Sequence, residues 1–471
     1  MDHTRVEACL LQDHHGKRNA QISPGTRGVR TDRYGGHVWR SGRCLHLPPA
    51  LAVALAVAVG LAASGCGDRP DGRPGRDQSG SAWTRVTLLE RDPDSSVPLR
   101  TANVRVADVD GDGSLGYLVS EPTAGRLVWL RNCDVDCDPL ALAEGLGAPV
   151  RVHPADLDAD GASDLLVADI GALAQTDAPV GRVVLLVRTG PSQFRPEVLL
   201  DEVGRVACAE TGDLDADGDL DVIACIFGHR TGALVWLEQK AGRFVRHDLR
   251  AEPGAIHAFP FDADGDGDLD IAAVFSQNLE EITLFRGDGA GSFTQEALFT
   301  AETHLYGLSG IELTDLDQDG DVDILVTNGD YFDAVPVDYA DLDALHGLAW
   351  LENDGSGQFD WHDILRTLGA YSVRALDVDD DGDLDLLLSA LRNEDILPPT
   401  ERATRGLWLL RNDGEQNFAP TPIVDGPSHI ITLDTLPETH GPAFVAGSYP
   451  LGSVGPEHRR LELFTAVRSN R

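Results

Sequence analysis

Five aspartates fall at alternate positions in residues 213–221, DLDADGDLD. Carboxylates two residues apart in a tight turn converge on one point, where they repel unless a cation lies between them. A hard cation with many oxygen ligands meets that demand. Calcium takes about six to eight oxygens. Here carboxylates at positions 1, 3 and 5, a backbone carbonyl at position 7 and Asp at position 9 can supply them. Gly at position 6 permits the sharp reversal of the chain. Magnesium suits the pattern less well, because it prefers a small octahedron and keeps several waters.

The pattern recurs six times. Copies begin at Asp108 (DVDGDGSLG), Asp156 (DLDADGASD), Asp213, Asp262 (DADGDGDLD), Asp315 (DLDQDGDVD) and Asp377 (DVDDDGDLD). The candidate ligands are Asp108, Asp110 and Asp112 in loop 1, and Asp156, Asp158, Asp160 and Asp164 in loop 2. Loop 3 offers Asp213, Asp215, Asp217 and Asp221, and loop 4 Asp262, Asp264, Asp266 and Asp270. Loop 5 offers Asp315, Asp317, Asp319 and Asp323, and loop 6 Asp377, Asp379, Asp381 and Asp385. Loop 1 has Gly116 at position 9, so a weak or water-completed site is expected there. An EF-hand would need Glu at position 12 and flanking helices. Position 12 of loop 3 is Ala224, inside an apolar run. The loops are thus of calcium type but set between strands, and a structural role is expected for the ions.

The elements around the loops repeat with them. Each of loops 2–6 is followed by a short apolar run, such as DVIACIF or DILVTN, too short for a helix and rich in Val, Ile and Leu. Then comes a second strand (LVWLRN, LVWLEQ, LAWLEN), a turn that is twice NDG, and an outer strand starting at an aromatic (FVRHDL, FDWHDIL). One more strand precedes each loop. This makes four strands per copy. A seventh copy without the acidic loop runs from FAPTPIV at Phe418 to LELFTAV at Leu461. The missing outer strand is WTRVTLL at Trp83, which is expected to pair beside LELFTAV and seal a ring. Residues 83–466 are therefore expected to form an all-β, seven-bladed β-propeller of four-stranded antiparallel blades with calcium-binding hairpin loops. Residues 467–471 are a tail.

D-x-D-x-D-G-x-x-D between strands, repeated with W-L strands, resembles the FG-GAP/VCBS repeat family. The resemblance covers residues 83–466 and implies a seven-bladed propeller like the head of an integrin α-subunit, with calcium in hairpin loops on one face. The literal FG and GAP words are mostly absent, so VCBS-like is the better label.

The N-terminal residues differ in kind. The segment 50–63, ALAVALAVAVGLAA, is apolar throughout and fits the core of a secretory signal better than a membrane span. It ends ASGC at Cys66 and resembles a bacterial lipoprotein signal. That resemblance implies lipidation at Cys66, with export to the cell envelope at the outer membrane or cell surface. Residues 1–65 are read as leader and 66–82 as lipidated Cys and flexible linker. Residues 1–37 are expected to be untranslated or dispensable, because a start at Val38 leaves a basic segment of ordinary length before the apolar core. Four of the remaining cysteines suit an oxidising compartment. Cys133 and Cys137 share one loop. Cys208 and Cys225 flank loop 3 and come opposite each other if it joins antiparallel strands. Both local disulfides are expected.

A formal net charge of −39 argues against nucleic acid and anionic lipid surfaces as partners. Any membrane contact is expected through the lipid alone, and a monomer is expected. On the face opposite the loops, residues 328–346, 391–405 and 447–459 are long connections of the kind that often bind. Polar residues five and three places before the loops (Arg105, Arg151, His153, His257, Glu312, Arg374, with His429 in the last copy) should gather near the axis as a cationic, His-bearing funnel. It would bind an anionic or sugar ligand. The leading reading is a calcium-stabilised extracytoplasmic module binding a protein or glycan. The alternative is a propeller enzyme, a polysaccharide lyase or phosphatase using that funnel, although no linear catalytic motif is present.

Overall fold

The computed structural model describes residues 83–90, 99–131, 133, 137–330, 342, 344–391, 406–424, 429–437, 441–450 and 460–466. Its strands form seven four-stranded antiparallel sheets, the blades of a propeller. In blades 1–6 the four strands follow one another in the chain. Blade 7 takes its first three strands from the C-terminal end of the propeller and its outermost from Trp83–Glu90, which pairs with Arg460–Ala466. Cys66, the leader and the linker lie outside the described residues.

Burial explains why the sequence alternates in some strands and not in others. The second strand of each blade, for instance Asp221–Ile226 or Asp323–Asn328, is buried along its whole length. Neighbouring blades cover both of its faces, so its residues are apolar without alternation. The innermost strands are Asn103–Ala107, Pro149–Ala155, Val206–Gly212, Ala255–Phe261, Leu308–Thr314, Ala370–Leu376 and Ile430–Thr435. They carry one deeply buried apolar residue each between the axial polar positions: Val104, Val152, Ala209, Ala258, Ile311, Val373 and Leu433.

The core is a ring of seven clusters, each spanning one junction between adjacent blades. Leu185 and Val235 belong to the cluster between blades 2 and 3, and Val119 and Val445 to the one that joins blade 1 to blade 7. Hydrophobic burial therefore closes the ring as well as each blade.

In blades 2–7 the innermost strand bulges by one residue near its start, at Val150, Ala207, Ile256, Ser309, Tyr371 and Ile431. A bulge bends the strand and re-aims side chains. All six bulged residues border the axial cavity described below.

Ring closure concentrates on Trp83. It is buried, with its ring edge-on to Phe444 at 5.1 Å, and Phe444 stacks on Phe464 at 4.7 Å. Trp83→Ala is expected to cost about 3–5 kcal/mol of unfolding free energy. The exposed Val86, three residues on, changed to Ala should stay within about 0.5 kcal/mol of the parent. Urea unfolding of both variants measures the contrast.

Candidate metal loops and axial cavity

The six acidic loops share one backbone conformation. The glycines at position 6 (Gly113, Gly161, Gly218, Gly267, Gly320 and Gly382) all have φ between +88° and +106°. No L side chain adopts that geometry without strain. The carboxylate at position 1 accepts N–H bonds from the turn it starts: in loop 3, Asp213 Oδ1 from Asp217 at 3.1 Å and Oδ2 from Gly218 at 3.1 Å. The carboxylate at position 5 accepts the N–H of position 7, as Asp217 does from Asp219 at 3.0 Å.

Position 9 is the anchor. Asp164, Asp221, Asp270, Asp323 and Asp385 are fully buried at the first residue of the second strand. One oxygen of each accepts the N–H of loop position 2 at 2.9–3.3 Å. The other accepts an N–H at the end of the third strand, from Arg188, Gln239, Gly287, Asn353 or Asn412, at 2.7–2.8 Å. Burial pushes Asp221, Asp323 and Asp385 up to about 6, and raises Asp164 and Asp270 as well. In blade 1 the position is Gly116, where an added Cβ would meet the Trp129 indole nitrogen at 2.2 Å. Blade 1 has no room for a sixth such aspartate.

Carboxylate oxygens converge as a metal site requires. Asp108, Asp110 and Asp112 lie within 4.8 Å of one another, as do Asp156, Asp158 and Asp160, and Asp262, Asp264 and Asp266. In loops 3 and 5 the converging sets are Asp213, Asp215 and Asp221, and Asp315, Asp317 and Asp323. Asp217 and Asp319 stand outside those two sets, and Asp164 and Asp270 outside theirs. In loop 6, Asp377 makes the same turn bonds, to Asp380, Asp381 and Gly382, and Arg411 pairs with Asp379. The donor set fits a hard cation. Asp215 Oδ1, Asp315 Oδ1 and Asp317 Oδ1 are shielded from solvent and have no hydrogen-bond partner among the described residues. Burial and neighbouring carboxylates raise Asp215 and Asp317. Oxygens left bare and mutually repelling are what a divalent cation would satisfy.

At the axis, the residues three places before the loops form a ring: Arg105, His153, Glu210, Phe259, Glu312, Arg374 and, in blade 7, Asp434. The ring is laced by ion pairs. Glu210 takes Arg151 Nε at 2.5 Å and His153 Nδ1 at 2.7 Å. Arg374 binds Glu312 at 2.6 Å and Asp434 at 3.5 Å, and Arg105 lies 3.9 Å from Asp434. Burial works to raise Glu210, but Arg151 and His153 overcome it and hold the carboxyl far below its usual range. His257 is pushed down to about 3 by burial and by Arg151, so it is neutral.

In and beside the ring, Arg105, Arg151 and Arg374 are matched by Glu210, Glu312 and Asp434. The cavity above is lined by Arg100, Arg151, Arg205 and Arg374 with Glu312 and Asp330. One expectation needs correction: His429 does not take the corresponding place in blade 7. Strand register places Leu433 with Val373, which puts Thr432 and Asp434 at the axial positions, while His429 bridges Leu391 at the strand entrance. With no acidic loop to count from, the offset in blade 7 could not be set from the sequence. Glu210 had the right offset, three before Asp213, and could have been included. Asp434 needed the register.

Above the ring, at the ends of the strands opposite the acidic loops, a cavity of about 530 Å³ draws lining residues from all seven blades. Arg151, His257, Glu312 and Arg374 face it; Arg105 and His153 do not. Arg205 lies over the Phe227 ring at 4.6 Å and Arg100 over Tyr449 at 5.2 Å on its walls. Of the long connections, 331–341, 343, 392–405 and 451–459 lie outside the described residues. Cys133 is bonded to Cys137, and Cys208 to Cys225 between facing strands.

Fold and loops together define a seven-bladed β-propeller carrying repeated acidic hairpin loops. Residues 156–224, 213–273 and 262–326 match the model described as FG-GAP-like repeat. No curated protein matches the chain. Among solved structures, BBS1N in a complex with ARL6DN soaked with lead is 11% identical with a TM-score of 0.50, covering 83% of this chain and 98% of that one. The exotype rhamnogalacturonan lyase YesX is 15% identical with a TM-score of 0.41, covering 82% of this chain and 76% of that one. The WD40 domain of Toxoplasma gondii coronin is 10% identical with a TM-score of 0.45, covering 82% and 87%. At such identities the likeness is one of fold alone.

The buried aspartates at position 9 give a pH signature. Without metal, Asp221, Asp323 and Asp385 stand near 6 in the fold, above the ordinary 3.8, so the fold holds protons that the unfolded chain has released. Stability of the metal-free protein is expected to fall as pH rises from about 4 to about 6. Asp221→Asn should make that fall shallower. Urea unfolding in chelator across this range would show it, and a stability that rises through the window in both proteins would contradict it.

Proposed function

We propose that the protein is a calcium-binding, extracytoplasmic propeller that serves as a binding or scaffold module, with its ligand entering the axial cavity. The observation that carries this is the cavity itself. It is bounded by every blade, carries Arg151, Arg205, Arg374 and Glu312 in its lining, and is walled by Phe227, Tyr371 and Tyr449. A concave site of several hundred Å³ with apolar walls and a few fixed polar groups is the form small-ligand sites take. It suits a sugar unit of a glycan, or a side chain of a partner protein. The strands joined by the long connections of blades 5–7 end at the same face, which favours a partner that extends beyond the cavity. The converging carboxylates support calcium as the metal, since many hard oxygens and a flexible shell favour it over magnesium.

Two disulfides support maturation outside a reducing compartment. The apolar segment ending in Cys66 supports export with a lipid anchor at that residue.

Ala207 lines the cavity on a bulge and offers a clean test. Calorimetric titration with neutral and acidic saccharides in calcium should yield a binder whose affinity drops at least tenfold in Ala207→Phe with the melting temperature unchanged. A saccharide or protein ligand bound equally well by Ala207→Phe would place binding elsewhere. For the anchor, Cys66→Ser is expected to move the protein from the membrane to the soluble fraction on cell fractionation. Unchanged membrane association would contradict lipidation at that residue.

A further inference from the structure

Six acidic loops in one ring need not fill independently. We propose that hydrogen bonds passed from blade to blade couple them into two cooperative groups, loops 1–3 and loops 4–6. This rests on the reading of the loops as calcium sites.

The device is the residue at the end of the third strand. Its backbone N–H is held by the aspartate at position 9 of its own loop, and its side chain reaches the backbone of the preceding loop. In blade 3 the Gln239 N–H donates to Asp221 at 2.7 Å, and Asp221 converges with Asp213 and Asp215. The Gln239 side-chain amide donates to the carbonyl of Leu157, position 2 of loop 2, at 3.3 Å. Leu157 is tied by its own N–H to Asp164, and Asp164 holds the N–H of Arg188 at 2.7 Å. The Arg188 guanidinium then donates to the carbonyl of Asp110 in loop 1. A cation that draws in the carboxylates of loop 3 thereby fixes the backbone of loop 2, and loop 2 fixes that of loop 1. Ordering done once need not be repeated at the next site, which is positive coupling.

The second group uses the same device between loops 5 and 4, and a side chain of the loop itself between loops 5 and 6, where Asn412 of blade 6 donates its side-chain amide to Leu384 of its own loop. Asn353 donates its N–H to Asp323 at 2.8 Å and its side-chain amide to the carbonyl of Ala263, position 2 of loop 4, at 2.9 Å. Gln318 of loop 5 donates to the carbonyl of Gly382 in loop 6 at 2.7 Å.

The relay stops between loops 3 and 4. In blade 4 the relaying position is Gly287, whose N–H still binds Asp270 at 2.8 Å but which has no side chain to reach loop 3. A Cβ there would meet the Leu269 carbonyl oxygen at 2.3 Å, so the blade excludes a relay residue. On the other side the groups are separated by blade 7, which lacks an acidic loop.

The test is a calcium titration of the purified full-length protein by calorimetry. Loop 3 is disabled by Asp213→Asn with Asp215→Asn, alone and together with Gln239→Met, which keeps side-chain length but removes the amide. Melting in saturating calcium verifies that each variant folds. Disabling loop 3 is expected to weaken two of the remaining sites about fivefold, the effect of losing one neutral hydrogen bond's worth of coupling, and to leave the other three unchanged. In the Gln239→Met background, disabling loop 3 should have no further effect on any site. Five unchanged sites after loop 3 is disabled, or five weakened alike, would overturn the grouping. Gln239→Met by itself supplies a second reading should the loop variant misfold: it must flatten the binding curve without reducing the number of ions. An unaltered curve would overturn the relay. Absence of calcium uptake by the parent protein would overturn the reading of the loops, and this inference with it.

Discussion

Repulsion among carboxylates packed into six tight turns is the constraint on which this propeller depends. Each turn reverses the chain between the innermost and second strands of a blade, so a turn that opened would release the strand pairing behind it. The aspartate at position 9 links the two. It begins the second strand, accepts an N–H from the turn and accepts another from the third strand. Carboxylate repulsion, strand register and blade packing therefore meet at one buried side chain. A divalent cation would relieve the repulsion where it arises, and binding energy gained there would be folding energy.

The axis answers electrostatics in a different way. Arg105 and Arg374 of the ring, with Arg151 beside it, neutralise Glu210, Glu312 and Asp434 of neighbouring blades, Arg374 serving both Glu312 and Asp434. Buried pairs of this kind add little net stability, since desolvation offsets attraction, yet removing one partner leaves a charge stranded. Their effect here is to tie neighbouring blades together around the axis. Arg151, Arg374 and Glu312 also line the cavity, and the metal loops occupy one end of the protein and the candidate ligand site the other.

Much of this was legible in the sequence, for physical reasons. The acidic loops repeat because each must make the same turn, and the strands around them read as apolar runs because both faces are covered. Even the chain's outermost first strand could be placed, from its likeness to the other outer strands and the gap left in the last blade. What escaped was whatever depends on register or on contacts between blades. The bulges at Ala207 or Tyr371 leave no mark in a strand pattern, yet they bring those residues to the cavity. The arginines were visible at the axis, but Glu210 and Asp434, which neutralise them, were not recognised as their partners, and His429 was given a place that belongs to Asp434. Single-residue offsets in one strand decide these matters, and only the ladder with its neighbour sets them.

The most direct measurement is the calcium content of the purified protein, together with its thermal melting before and after exhaustive chelation. If convergent carboxylates are held together by cations, about five or six ions will be bound, and the melting temperature will drop sharply once they are removed and recover when calcium is returned. A protein that binds no calcium and melts at the same temperature in chelator would show that the loops hold themselves, and that the carboxylates converge for some other reason.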